Sequence, residues 1–373
     1  MHRRIFERAT EVTYLDTAAE GLPHPLCEQA FREYFMAKSR GTPGRREHFA
    51  AEKDAHELAG RLLKTDSANI AFVASASDAL ALLAASIDWK PGDQVVTTDL
   101  EFPSNILPWL RLKQLGVDVT VVPSSKGALD WHRLVEHVSA RTRVVALNLV
   151  SYKTGAYFPF VQNVAAEAHK QGAIVVLDAT QALGRCPVSL DGVDYLVSSS
   201  FKWLLGPHGL GLVYLNPEFR QRFTPANVGW HSVDNAFGEN RFERYVLKPG
   251  AACLAVGMPN FPSLYALRHS LRFLLECGVD NIFQQLIEPV RRLRHGLAEL
   301  GLDLLTPPDA ELASGIVSFT HPKAVEIGAA LERSGVIVWS GDGRVRASLH
   351  LYNEMEDVER YLQALDAVLK KGP

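Results

Sequence analysis

The sequence has 373 residues, 47% of them hydrophobic and 22% charged, a globular composition that excludes disorder, collagen and coiled coil as the main architecture. At about 150 residues per domain this length predicts more than one domain. The formal net charge of −3 shows no basic bias, so neither nucleic acid nor an anionic membrane surface is an expected partner.

In chain order, apolar spacing predicts helices over residues 25–37 and 50–64, then a short strand over 70–74. Ser75-Ala76-Ser77 leads into a helical stretch, 78–87. Pro91-Gly92-Asp93 reads as a turn before a strand at 94–98. A helix at 107–115, a β-branched strand at 117–122 and a helix at 131–138 follow. Then come an apolar strand at 144–150, a helix at 161–170 and another apolar strand at 173–177. Short strands that are apolar on both faces and alternate with helices predict a mainly parallel α/β sheet covered on both sides.

The pattern changes after about Tyr214. Residues 216–250 are polar and aromatic without clear periodicity. A long helical region is predicted over 262–300, with strands at 315–319, 335–339 and 344–349 and helices at 324–333 and 354–369. This predicts a smaller α+β domain, with its boundary between Phe237 and Ser263.

The four cysteines, Cys27, Cys186, Cys253 and Cys277, lack any CxxC spacing and read as buried or half-buried free thiols rather than a metal cluster. The first residues are charged and lack the apolar stretch of a signal peptide. No apolar run approaches the ~20 residues needed to span a bilayer. A cytoplasmic location is the expectation.

Two segments carry chemistry. In AIVVLDATQALG, an apolar strand ends in Asp178. That carboxylate either caps the next turn or faces a ligand at a strand's carboxyl end. In VDYLVSSSFKWLLGPHGLG, Lys202 stands between Phe201 and Trp203 in a turn rich in serine and glycine. It is either a surface lysine with a buried stem or an amine whose pKa is lowered by apolar neighbours. A lysine and a carboxylate at neighbouring strand ends match the needs of pyridoxal phosphate: an amine for the aldehyde and an acid for the pyridine nitrogen.

Asp178-Ala179-Thr180-Gln181, with Ser199-Ser200-Phe201-Lys202 and Gly206-Pro207-His208-Gly209, resembles the class V aminotransferase group of fold-type I pyridoxal-phosphate enzymes. That group includes cysteine desulfurases, isopenicillin-N epimerases and kynureninases. The likeness runs from Tyr14-Leu15-Asp16-Thr17-Ala18-Ala19 to Arg346-Ala347-Ser348-Leu349-His350-Leu351-Tyr352-Asn353. It implies an aspartate-aminotransferase-like fold with a seven-stranded sheet in the large domain. The implied division is an N-terminal arm (1–20), a large domain (21–245) and a small domain (246–373). It also implies a homodimer with the site near the subunit boundary.

The resemblance implies roles residue by residue. Lys202 is the Schiff-base position, Asp178 pairs with the pyridine nitrogen, and Gln181 meets the phenolic oxygen. Ser199, Ala76 and Ser77 bind the phosphate, the last two at a helix start whose dipole also favours an anion. Phe102 stacks on the ring, where many relatives have histidine. Tyr152 lies where desulfurases place an asparagine, in a SYKTG loop closer to the kynureninase version. Arg346 grips the substrate α-carboxylate, which a guanidinium fork suits. Its neighbour Arg344 reads as an outward charge on an edge strand.

Departures narrow the activity. Residues 338–343 lack the nucleophilic cysteine of desulfurases, so an ordinary persulfide mechanism is not expected. Phe201 replaces a frequent histidine. Met258 replaces a phosphate-binding threonine, leaving Arg45, Arg46 and His231 as alternative phosphate donors, or else as surface or substrate-pocket groups. The expected activity is an aminotransferase-like enzyme acting on an α-amino acid. The alternatives are a β-eliminating C–S lyase without a persulfide cysteine and a kynureninase-like hydrolase. A cofactor-holding protein without turnover is disfavoured by the joint presence of Lys202, Asp178 and Arg346.

Overall fold

In the computed structural model, which describes residues 3–309 and 314–372, a short helix, Glu7–Glu11, precedes the first strand, the two-residue β1 (Thr13–Tyr14). The main sheet is built from β2 (Ile70–Val73), β3 (Gln94–Thr98), β4 (Asp118–Val122), β5 (Thr142–Asn148), β6 (Ile174–Asp178), β7 (Tyr195–Ser199) and β8 (Gly211–Leu215). Its order is β2-β8-β7-β6-β5-β3-β4. Only β8 runs against the others in this sheet.

The apolar runs of these strands split cleanly between two cores. Val145, Leu147, Val175, Leu177 and Leu196 pack on one face. Val144, Ala146, Val176, Tyr195 and Val197 pack on the other. Side chains alternate across a strand, so a sheet with helices on both faces needs every position apolar.

Two glycines allow close approaches that position the site. A Cβ on Gly211 of β8 would lie 2.3 Å from the Ser75 carbonyl carbon and 2.5 Å from the Ala76 nitrogen. The start of the Ala76–Ser86 helix therefore sits directly against β8. A Cβ on Gly21 would lie 1.9 Å from the Lys202 carbonyl oxygen, and Gly21 N donates to Phe201 O at 2.9 Å.

The C-terminal sheet comprises β9 (Asp303–Leu304), β10 (Ile316–Thr320), β12 (Trp339–Gly341) and β13 (Arg344–Ser348), in antiparallel order β12-β13-β10-β9. Strand β11 (Val336–Ile337) instead pairs in parallel with β1. The strand expected over 335–339 is thus divided between two sheets. The segment leading from β1 continues beside β13, where Ser348 N donates to Leu15 O at 2.7 Å.

The helix expected over 262–300 is three helices, Phe261–Cys277, Val279–Gln285 and Ile287–Glu299. Gly278 breaks the first with φ 74°, a conformation that L side chains rarely adopt. The Arg45–Leu63 helix begins five residues earlier than its apolar spacing suggests, because its first turn is polar and exposed. Among the described residues no helix is long and apolar enough to cross a membrane.

Candidate active site

The parallel strands end along one edge of the main sheet. Asn148 closes β5 opposite Asp178, which closes β6, and Ser199 closes β7. One cleft at this edge is lined by Ser75, Ala76, Ser77, Phe102, Ser104, Asn148, Val150, Tyr152, Asp178, Thr180, Gln181, Ser199, Phe201 and Lys202. All eight residues expected at a cofactor therefore meet in one place.

A corner rich in polar donors lies at the start of the Ala76–Ser86 helix. Ser75 is the N-cap: its Oγ accepts from Asp78 N at 3.0 Å and donates to Asp78 Oδ2 at 2.7 Å. Ser77 is left exposed to the cleft, its Oγ 2.7 Å from Ser104 Oγ. Ser199 stands nearby, with its backbone N–H donating to Thr180 Oγ1 at 3.2 Å. Unpaired first-turn N–H groups and several hydroxyls suit an oxyanion.

Asp178 is buried, and Thr180 N donates to its Oδ1 at 2.9 Å. Burial raises its pKa above the carboxylate norm, while Thr180 and the Lys202 charge oppose the rise. A buried acid in this state is suited to a partner that brings a proton or positive charge. Below it, Glu101 accepts from Thr98, Asn105 and both nitrogens of Asn148 at 2.8–2.9 Å. Burial pushes Glu101 up to about 8 against those bonds.

Gln181 Nε2 donates to Ala18 O at 2.9 Å, and its Oε1 accepts from the Trp203 indole at 2.7 Å. Lys202 is held by its neighbours: Trp203 is fully buried, its carbonyl contacts His350 Nε2 at 3.0 Å, and Phe201 stacks on His208 with centroids 4.2 Å apart. Lys202 itself is 9% exposed. Its Nζ lies 5.2 Å from the Phe102 ring centroid and 5.5 Å from that of Phe201. Burial lowers it to about 8, with Asp178 acting in the opposite sense. The apolar setting expected from the flanking aromatics is present.

Phe102 is 41% exposed and meets Tyr152 edge-on, with centroids 5.0 Å apart. Arg346 of β13 reaches toward the same place, donating from Nη1 to Tyr152 O at 3.0 Å. Asp16 Oδ1 lies 3.9 Å from Arg346 Nη2 and has no hydrogen-bond partner among the described residues. Burial pushes Asp16 up to about 7, outweighing Arg346. Burial likewise lowers Arg346 to about 10, with Asp16 opposing and Arg344 adding.

Arg344 corrects the expectation of an outward charge on an edge strand. Strand β13 lies inside its sheet, between β12 and β10, and Arg344 is buried. Alternation places it on the same strand face as Arg346.

Other candidates lie elsewhere. Arg45 and Arg46 are exposed at the start of the Arg45–Leu63 helix. His231 donates from its backbone N to Val256 O at 3.4 Å, and Met258 lines a different cleft. Cys27, Cys186 and Cys253 are buried and Cys277 is half-buried; none lines the candidate site. Ser104, Thr180, Asn148 and Asp16 were not found from the sequence. Ser104 and Thr180 stand two residues from Phe102 and Asp178, and that spacing was an available signal. Asp16 offered none, since only the fold carries it to Arg346.

The aminotransferase class-V family pattern matches residues 13–361. A "Probable cysteine desulfurase" of Pyrococcus abyssi is 29% identical over 390 residues, covering 96% of this chain and 95% of that protein. The "Uncharacterized aminotransferase YcbU" of Bacillus subtilis is 24% identical, covering 98% and 97%. The apo structure of a cysteine desulfurase from Thermococcus onnurineus superposes with a TM-score of 0.91 at 26% identity, covering 99% of this chain and 98% of the other. The chain belongs to the class-V aminotransferase family of pyridoxal-phosphate-dependent enzymes.

Proposed function

We propose that this enzyme transfers the amino group of an α-amino acid. The observation that carries the reading is a buried amine, Lys202, facing a cleft that also holds a buried acid, Asp178. The donor set fits pyridoxal phosphate. Ala76, Ser77 and Ser199 would hold the phosphate, Asp178 the pyridine nitrogen, and the second N–H of Gln181 the phenolic oxygen, with Tyr152 beside it. Phe102 would cover one ring face and Lys202 would hold the aldehyde carbon covalently. When bound, the cofactor supplies an electron-withdrawing ring that stabilises negative charge at the substrate α-carbon.

The chain's own residues then have distinct tasks. Arg346 grips the α-carboxylate by two parallel hydrogen bonds and fixes which α-carbon bond faces Lys202. Once the substrate amine has displaced it from the aldehyde carbon, Lys202 Nζ would be free to take the α-proton, its lowered pKa leaving part of it neutral near pH 7. Phe102 carries no proton and cannot share that task. The rings of Phe102 and Phe201, 5.2 Å and 5.5 Å from Nζ, shield the amine from water.

A second reading, β-elimination at a C–S bond, is favoured by the name of the Pyrococcus abyssi relative. A desulfurase needs a thiolate at the substrate sulfur. Residues 338–343 contain no cysteine, and no cysteine lines the cleft. Elimination here would have to proceed without persulfide transfer. The deciding experiment gives the holoenzyme a panel of amino acids. A keto acid formed together with the amine form of the cofactor is expected. Pyruvate and sulfide from cysteine, with the cofactor unchanged, would overturn transamination.

The same proposal includes a homodimer and a cytoplasmic location. Large apolar side chains left exposed, such as Phe35, Met36, Phe237 and Phe242, fit burial against a second copy, and the buried thiols Cys27, Cys186 and Cys253, none in a disulfide, fit a reducing compartment. The division at residues 20 and 245 belongs with it.

A further inference from the structure

Arg344 and Arg346 are 4% and 3% exposed and share one face of β13. Two residues of strand span about 7 Å, which sets the separation of their Cα atoms. Both guanidinium groups lie over the Trp339 ring, at 4.4 Å and 5.2 Å from its centroid. Arg344 also lies 5.3 Å from the Tyr152 ring centroid, and Tyr152 lines the cleft. Arg344 thus adjoins the cleft behind the Tyr152 ring, without lining it.

The pairing of these cations is incomplete. The Nε atoms of both arginines are buried without a hydrogen-bond partner among the described residues. Arg344 meets one acid, Asp342, at 3.3 Å, and that side chain is 74% exposed. Asp342 sits in a tight turn with φ 46°. Buried charge without full pairing is costly, and a bond to an exposed carboxylate is readily exchanged for one to a ligand.

We propose that the substrate is an α-amino acid whose side chain ends in a second carboxylate, with Arg346 holding the α-carboxylate and Arg344 the distal one in place of Asp342. This rests on the clamp role of Arg346 given above. A short dicarboxylate matches two guanidinium groups on one strand face. A neutral side chain would leave the Arg344 Nε unpaired. The remote charge also gives binding energy that orients the reacting carbon.

The test measures kcat/KM of the holoenzyme for aspartate and glutamate against asparagine and glutamine. It also measures calorimetric binding of succinate and glutarate against propionate. The wild type is expected to favour the acids by about tenfold or more, the scale of a hydrogen bond to a charged group. Arg344→Gln should lower that acid-to-neutral ratio by about tenfold, and Asp342→Asn should raise it. A ratio near one in the wild type overturns the proposal, as does a ratio that neither variant changes. If Arg344→Gln does not fold, the wild-type ratio and Asp342→Asn still decide. Arg346→Lys separates the two readings. If it leaves propionate binding intact, the clamp fails; if it weakens propionate while Arg344→Gln leaves the ratio alone, only the distal contact fails.

Discussion

The indole N–H of Trp203 donates to the side-chain oxygen of Gln181 at 2.7 Å. The residue beside Lys202 therefore sets which way the Gln181 amide faces. With its oxygen engaged, the nitrogen donates to Ala18 O and keeps one N–H for a ligand. Trp203→Phe leaves that buried oxygen unpaired. It should cost about 1–3 kcal/mol in denaturant unfolding and weaken cofactor binding in equilibrium dialysis. Unchanged cofactor affinity in a folded variant would contradict this link.

Lys202→Ala should abolish covalent retention of pyridoxal phosphate. Borohydride reduction followed by peptide mass spectrometry should find the adduct on the wild-type peptide containing Lys202 and none on the variant. An adduct on another lysine would remove Lys202 from its proposed role.

Arg346→Lys keeps the charge and loses the fork. Amino-acid affinity should fall about tenfold or more, while cofactor affinity stays within about twofold. An equal loss of both would assign Arg346 to cofactor binding or folding instead.

Gly21→Ala forces a methyl against the Lys202 carbonyl oxygen, 1.9 Å from the ideal Cβ position. Neither neighbour is a flexible side-chain tip, so backbone must shift. A loss of about 1–3 kcal/mol is expected, read by chemical denaturation, together with reduced formation of the Lys202 adduct.

Acid should unfold the protein partly through His350. Burial holds this imidazole at about 3, with Arg185 adding to the effect, while the unfolded chain protonates near 6.5. Between those values the unfolded state binds more protons, so stability is fully present above about pH 6.5 and is lost as pH falls toward 3. Denaturation measured at pH 7 and pH 4.5 should show this slope, and His350→Gln should flatten it. An unaltered slope would assign the acid sensitivity to other groups.

Much of the architecture is legible locally. Strands such as Ile174–Asp178 are short and apolar throughout because both faces are buried, and that pattern survives in sequence. Asp178, Ser199 and Lys202 converge because strand ends and the turns after them share one sheet edge. Two features escape. The break at Gly278 lies inside a run whose apolar spacing continues on both sides. The burial of Arg344 depends on β12 pairing beside β13 and on Trp339 and Tyr152 covering it, contacts between segments far apart in the chain. Arginine on a strand reads as solvated until its covering elements are known.

The segment between β1 and Gly21 is bonded at both ends. At one end, Leu15 accepts from Ser348 on the guanidinium-bearing strand; at the other, Gly21 donates to Phe201, next to the amine. The seven residues Leu15–Gly21, folded into a turn in which Ala19 N and Glu20 N donate to Asp16 O, thus act as a short strap. A rotation of the C-terminal sheet against the main sheet that pulls Arg346 away from Lys202 must break a backbone bond at one end or open this turn. A hinge motion that parted these two side chains would therefore cost backbone hydrogen bonds, and the strap resists it.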